Sequence, residues 1–362
     1  MINKRILHIA PQNISDVPMT FVRAERALGY ESRLVTLFPD PRGYPEDICL
    51  NLPFVNADFV KKIKRLVSNP ARLEIKNQSS ASQEKPPVWR ANGLAEKALI
   101  FVREWFWEPM IYDFMQEIGF WSFDVYQFDA GLDFFRDGRT VRRLKAHGKK
   151  VIVCYTGSDL RTRGIIEPVD ALADVRVTVE WDHLDLHPNL QHVLFPFEPE
   201  KYAFRQREND GKLRIGHAPT NRAAKGSERI LAVLERIKNE REIEIVLIEN
   251  LPHAEAIKLK DSCDIFIDQI GDLGYGINAL EALALGVPTC TSLTPHFLSA
   301  YPDHPFWEID DENLYEKILS LIDSEMMRDE LTIKGRAWVE KCHESRQIVH
   351  KVHQLTSRII IS

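Results

Sequence analysis

The stretch GDLGYGINALEALALGVPTC, Gly271 to Cys290, joins a glycine-broken loop, a short apolar helix and a sharp stop in one run. Gly274 and Gly276 let the backbone approach a ligand closely, and the first amides of the following helix would face that ligand with the positive end of their dipole. A phosphate or a polar sugar suits that place. Glu281, the only ion of the helix, lies about one turn in, where a carboxylate can accept two hydroxyl hydrogens as a ribose diol offers them. Gly286 ends the helix and Pro288 prevents its return. An ordinary strand-loop-helix turn with a solvated glutamate satisfies the same spacing.

Outward from this run, short segments rich in Val and Ile alternate with helix-period stretches, the pattern of parallel sheets covered on both faces. Strands are expected at RILHIA, SRLVTLF, DVYQF, KKVIVCY, VRVTVE and HVLFP, and a second series at LRIGHA, EIEIVLI, DIFIDQ and VPTCTS. Between the series FEPEKYAFRQRENDGK is charged and lacks apolar periodicity, so it reads as a linker ending near Gly211. The fold class is α/β: two Rossmann-like domains, 1–205 and 206–343, facing each other across a cleft, with ligands beyond the carboxyl ends of the strands. The tail 344–362 carries an apolar helical stripe, Ile348, Val349, Val352 and Leu355, fit for docking.

Composition bounds the rest. A chain of 362 residues with 44% hydrophobic content can fill two cores. A net charge of -6 and a pI near 6.1 argue against a general nucleic-acid binder, which needs a concentrated positive surface. Five scattered cysteines form no CxxC pair, so neither a disulfide framework nor a zinc knuckle is indicated, and a reducing cytoplasm fits best. The apolar run of MINKRILHIAPQN is too short for a signal peptide, and no segment approaches the roughly 20 apolar residues of a spanning helix.

Two segments interrupt the first domain. Ser68 to Trp89 is polar and of low complexity, and reads as a loop. FVREWFWEPMIYDFMQEIGFWSF, Phe101 to Phe123, is unusually aromatic; at helical spacing it is core material. The alternative is a greasy acceptor groove or a membrane-facing patch, helped by the basic FVKKIKRLV at Phe59 to Val67.

A second constellation lies in LRIGHAPTNRAAKGSERILAVLERI, Leu213 to Ile237, which reads as strand, polar loop and helix. Arg222 and Lys225 precede the helix. Two cations there repel each other and the helix dipole unless an anion joins them, which suggests a diphosphate; both could equally be solvated. His217, after strand LRIG, either faces the cleft or is a satisfied structural hydrogen bonder.

These runs resemble the signature of retaining GT-B glycosyltransferases of family 4. Gly274, Tyr275, Gly276, Leu280, Glu281, Ala282, Ala284, Gly286 and Pro288 match the family's sugar-nucleotide site, and Lys225 with Gly226 matches its diphosphate grip, with Arg222 a looser match. The resemblance implies Arg222 and Lys225 as the catalytic cations and His217, Gly274, Tyr275, Gly276, Ile277 and Glu281 as the donor-binding set. It also implies that the last helix crosses back to the first domain. Where the family has its first acidic residue stands Leu273, beside Asp272, so nucleotide binding is better supported than any particular sugar. Where the family commonly has a donor-contacting histidine stands Thr156.

On the acceptor side, Thr156, Gly157, Asp159 and Arg161 follow strand KKVIVCY, and Asn13, Ser15 and Asp16 follow the first strand. A plain turn closed by Asp159 is the competing reading. Asp182, His183, Asp185 and His187 in WDHLDLHPN tempt a metal assignment, but no second cluster completes it, and no Asp-x-Asp triplet occurs. The expectation is a metal-independent retaining transfer from a nucleotide-diphosphate sugar to a glycan or lipid-linked acceptor, with no cofactor beyond that donor and no nucleic-acid partner. The enzyme would be cytoplasmic, with peripheral association at the inner membrane face compatible with the aromatic and basic stretches. A degenerate GT-B protein that binds without turnover and a GT-B sugar-nucleotide epimerase are the alternatives. A dehydrogenase is disfavoured by the absence of a G-x-G-x-x-G turn after RILHIA.

Overall fold

The structure, a computed structural model, describes residues 4–53, 85–205, 212–271 and 273–358. The basic run 59–67, positions 68–84 of the loop expected over 68–89, the linker positions 206–211 and Asp272 lie outside them. The chain divides into two compact units: Met1–Asp40, Tyr44–Val193 and Arg346–Ser362 form the first, and Pro41–Gly43 with Leu194–Ser345 the second. The division falls between Val193 and Leu194, ahead of the charged stretch.

In the first unit seven strands form a parallel sheet in the order β3-β2-β1-β4-β5-β6-β7. They are β1 (Arg5–Ala10), β2 (Glu31–Thr36), β3 (Ile48–Cys49), β4 (Val125–Asp129), β5 (Lys150–Tyr155), β6 (Val175–Thr178) and β7 (Gln191–His192). The central strand β5 is an apolar run because both faces are covered: Val151, Ile152, Val153 and Cys154 are all fully buried. HVLFP contributes little strand; Val193, Leu194 and Phe195 are buried outside the ladder. The strand order reverses between β1 and β4, which makes the crevice beyond their carboxyl ends the natural binding place of this unit.

Helix α1 (Val17–Ala27) follows β1, and α2 (Gly93–Glu117) precedes β4. The aromatic stretch is only half core. Trp107, Ile111, Phe114 and Met115 of α2 are buried, whereas Leu94, Phe101, Val102 and Trp105 are exposed. No helix among the described residues is long and apolar enough to cross a membrane.

The second unit has a parallel sheet in the order β12-β11-β10-β8-β9. Its strands are β8 (Leu213–His217), β9 (Ile243–Leu247), β10 (Ile265–Gln269), β11 (Thr289–Thr291) and β12 (Trp307–Glu308). A single helical turn, Arg222–Lys225, leads into α3 (Ser227–Lys238); α4 is His253–Asp261 and α5 is Ile277–Ala284. Gly226 joins the turn to α3 at φ +69, and a side chain there would strike Ile270. The order reverses between β8 and β10, so the loops after those two strands, the very runs singled out in the sequence, leave the sheet together. A long helix, α6 (Glu325–Cys342), precedes the last one, α7 (Ser345–Arg358). Apart from its first residue α7 belongs to the first unit, where Ile348, Val349 and Val352 are buried and His353 Nε2 lies 2.8 Å from Glu25.

Candidate nucleotide site in the second unit

The glycine loop and the Asn221–Gly226 loop are built against each other. Ile270 N donates to Lys225 O at 3.2 Å, and a Cβ on Gly271 would come within 2.6 Å of Ala224 O, so only glycine lets the two backbones meet. Asn278 Nδ2 donates to Ala218 O at 3.0 Å and ties α5 to the end of β8. Gly274 adopts φ +75, and its carbonyl accepts from Gln269 Nε2, while Gln269 Oε1 is enclosed without a partner. The amides of Ile277 and Asn278, at the start of α5, have no hydrogen-bond partner among the described residues and point along the helix axis.

Lys225 is not a free cation. Its Nζ donates to Asp268 Oδ1 at 2.8 Å, and the other oxygen of Asp268 accepts from Gly276 N at 3.2 Å. Asp268, buried at the end of β10, thus sits between the lysine and the helix start. The ammonium has three protons, so two remain for an incoming anion. Arg222 is more fully engaged. Its guanidinium forks onto Glu249 at 2.8 and 2.7 Å and reaches Glu228 at 3.1 Å, a pairing that Coulomb attraction favours because Glu249 follows the neighbouring strand β9.

Glu281 departs furthest from the solvated glutamate of the sequence reading. It is buried, with Oε2 accepting from Lys260 and Oε1 at 2.7 Å from His253 Nε2 and 3.4 Å from the Tyr202 hydroxyl. Burial alone would raise its pKa, but the Lys260 charge and the His253 bond overcome that and pull the carboxyl down to about 2. Lys260 is itself buried and donates to Asn278 Oδ1 at 2.6 Å. Of roughly four lone-pair sites on the carboxylate, one remains for a hydroxyl.

His217 and Tyr275 are engaged by neighbours within the second unit. His217 is fully buried, with Nδ1 2.8 Å from Ile267 O and Nε2 2.8 Å from Ser227 Oγ. A carbonyl only accepts, so Nδ1 carries the proton and Nε2 accepts from the serine; burial holds the ring neutral. Tyr275 lies among Phe195, Phe297, Phe306 and Trp338, its hydroxyl 3.2 Å from His343 Nε2.

The acceptor-side candidates are in the first unit. Asn13 is buried and spends its side chain on Asp16, Pro45 O and the Met19 amide. Ser15 and Asp16 both lie at positive φ, 55 and 59, a strained pair that Asp16 anchors through Arg23. Thr156 N donates to Asp159 Oδ2 at 3.2 Å, closing the turn that local chemistry suggested. Gly157 N donates to Glu180 Oε1 at 2.9 Å, and Arg161 pairs with Glu180 at 3.0 Å and with Asp182 at 2.5 Å. Burial pushes Asp159 up to about 6 and Glu180 up to about 7, against the opposing pull of the nearby arginines. The WDHLDLH residues are dispersed: Asp182 holds Arg161, His183 lies between Thr178 and Gly157 O, and His187 contacts Asp170. Asp268, Lys260, His253 and Glu180 were not foreseen. A charge closing an apolar strand, as in DIFIDQ, is the one signal that could have flagged Asp268.

No protein-family model matches the chain, and no curated protein matches it in sequence. Solved structures do match over nearly its whole length. Sucrose-phosphate synthase from Thermosynechococcus elongatus superposes with a TM-score of 0.61 at 12% identity, covering 99% of each chain. Anabaena HepE in complex with UDP gives 0.57 at 9% identity, covering 98% of this chain and 100% of that one. A Listeria monocytogenes protein assigned as a UDP-N-acetylglucosamine 2-epimerase gives 0.52 at 11%, covering 98% and 95%. The chain has the GT-B fold. Glycosyltransferases and an epimerase share it, and at such identities the GT-B likeness carries architecture and not chemistry.

Proposed function

We propose that this GT-B protein is a glycosyltransferase that moves a sugar from a nucleotide-diphosphate donor to a glycan or lipid-linked acceptor, with retention and without a metal ion. The observation that carries the reading is the meeting of two loops at the β8/β10 reversal, where unpartnered amides of Ile277 and Asn278 lie beside the Lys225 ammonium. A diphosphate bound there would receive the helix dipole, two backbone donors and the remaining protons of Lys225. The same groups would stabilise the charge that develops as the diphosphate leaves. Arg222 would contribute by leaving Glu249, and the free lone pair of Glu281 would receive one ribose hydroxyl. The resemblance to family 4 supports retention; the bound UDP of HepE supports a uridine donor. A reducing compartment suits five cysteines that form no disulfide, and the exposed aromatic side of α2 supports an acceptor or location near lipid.

The engagement of Arg222 and Lys225 by carboxylates also favours a second reading, a nucleotide-binding protein without turnover. Thermal shift against UDP-, GDP- and ADP-sugars followed by a donor-hydrolysis assay separates the two. Binding with hydrolysis or transfer supports the enzyme, and product NMR then reports the anomeric configuration. Binding without either supports the scaffold, C2 inversion of the donor an epimerase, and no binding at all defeats the donor site. Activity that vanishes with EDTA and returns with Mn or Mg would overturn the metal-free mechanism.

A further inference from the structure

Beyond the carboxyl ends of β4 and β5, in the first unit, lies a group of arginines that the donor site does not use. Arg136 follows β4, Arg163 ends the helical turn Asp159–Arg163 after β5, and Arg103 projects from α2. Arg136 is partly buried. Its side chain makes no hydrogen bond or ion pair among the described residues, its Nη1 is enclosed without a partner, and its guanidinium stacks 5.3 Å from the Trp89 ring. Arg103 has a second enclosed nitrogen, Nε, without a partner, and lies 4.4 Å over Trp107. Arg163 is spent on the Gly164 and Ala130 carbonyls, with Asp159 at 3.9 Å.

The nearby carboxylates pair with Arg103 and Arg163 and leave the Arg136 guanidinium without an ion pair among the described residues. Glu104 Oε1 receives the Arg136 backbone amide at 2.8 Å and Arg103 Nη2 at 3.2 Å, and its other oxygen is 3.7 Å from Arg139. Glu96 is spent on the Asn92 amide. Burial, then the charges of Arg103 and Arg163, push Arg136 down to about 9, which still leaves it protonated at neutral pH. A charged guanidinium with an enclosed, unpartnered nitrogen and no counter-ion is unfavourable, and an anion bound beside it would remove that cost.

Two flat guanidinium groups with open donors, each backed by a tryptophan, match the oxygens of a tetrahedral oxyanion. The β4 and β5 carboxyl ends are also where a doubly wound sheet receives ligands. We infer that Arg136 and Arg103, with Arg163 beside them, form a binding site for a phosphate group, and that the acceptor carries it. The second half rests on the glycosyltransferase reading; the anion site does not. The phosphate could belong to a soluble sugar phosphate or to a lipid phosphate, and the chemistry of the site is the same for both.

The test uses the full chain, its Arg136→Leu variant and its Arg136→Lys variant. Calorimetry follows inorganic phosphate, a hexose 6-phosphate and phosphatidylglycerol or phosphatidylcholine vesicles, with UDP titrated in parallel. Expected is phosphate binding to the parent that weakens about tenfold or more in Arg136→Leu, and also in Arg136→Lys, which keeps the charge and loses the fork. UDP affinity should be the same in all three. Unliganded Arg136→Leu should melt no lower than the parent, because it removes an unpaired enclosed charge. Should Arg136→Leu fail to fold, Arg136→Lys carries the measurement. Preference for the hexose phosphate assigns a soluble acceptor, and preference for phosphatidylglycerol vesicles a lipid one; both support the site. Absence of phosphate binding by the parent, or equal phosphate affinity in parent and variants, overturns it. Arg136-dependent phosphate binding without UDP binding keeps the anion site and removes the donor reading.

Discussion

At the scale of single residues, Glu281, proposed above to receive a ribose hydroxyl, is also held by the fold. Its carboxylate meets the buried Lys260 ammonium and His253, so Glu281→Gln leaves a lysine enclosed without its counter-charge. Loss of one partner of a buried pair is expected to lower unliganded stability by about 3 kcal/mol, measured by urea denaturation, in addition to weakening UDP. The pH dependence has a defined sign. With the folded pKa near 2 and an ordinary value of 4.5, the contribution of Glu281 is present above 4.5 and lost as pH falls toward 2. The parent should therefore lose stability across that window faster than Glu281→Gln, and parallel curves would show the pair to be energetically silent. Lys225→Ala is a different case: it leaves Asp268 beside the Gly276 amide without its lysine and removes a cation next to the helix start. UDP binding should weaken by about 1.5 to 3 kcal/mol by calorimetry. Unchanged affinity would remove Lys225 from the diphosphate grip.

At the scale of elements, the site depends on how closely two loops approach. Gly271→Ala would force a methyl group against the Ala224 carbonyl, 2.6 Å from its ideal position, and drive the glycine loop off the Arg222–Lys225 turn. The expected effect is a stability loss of about 1 to 3 kcal/mol with a UDP affinity loss of similar direction. A variant with parental melting and parental UDP binding would show that the loops need not touch. This approach was legible in the sequence, because Gly271 to Cys290 and Leu213 to Ile237 each carry strand-loop-helix punctuation and the β8/β10 reversal brings them together. The two-residue strands β3 and β12 were not, since no periodicity shows in two positions. Nor was the partnering of polar groups. Sequence marks His217 and Glu281 as polar near a loop, but whether a polar side chain faces solvent, a ligand or a buried partner depends on chain distant in sequence. Lys260 lies 21 positions from Glu281, and Asp268 lies 43 from Lys225.

At the scale of the whole molecule, the chain builds most of one unit, then the other, and gives its last helix to the first. Three buried residues of α7, Ile348, Val349 and Val352, and the His353–Glu25 contact belong to that first unit. Glu25 also meets His8 Nε2 at 2.9 Å and Ser32 Oγ at 2.6 Å, so α7 closes an enclosed polar network as well as an apolar face. Burial works against the His8 charge, yet Glu25 and Asp129 push its pKa up to about 10. Its stabilising effect is complete below its ordinary value of 6.5 and is lost as pH rises through 10. Two units of this kind need not melt as one. Removal of residues 346–362 strips the first unit of three apolar side chains worth roughly 1.5 to 3 kcal/mol each and leaves Glu25 without His353. In scanning calorimetry the truncated chain should therefore show an early transition absent from the parent, while UDP at 100 times its Kd still raises the other transition by about 2.7 kcal/mol of stabilisation. If truncation instead abolishes UDP binding and leaves a single unshifted transition, α7 serves the nucleotide unit and the division of the chain drawn from its packing fails.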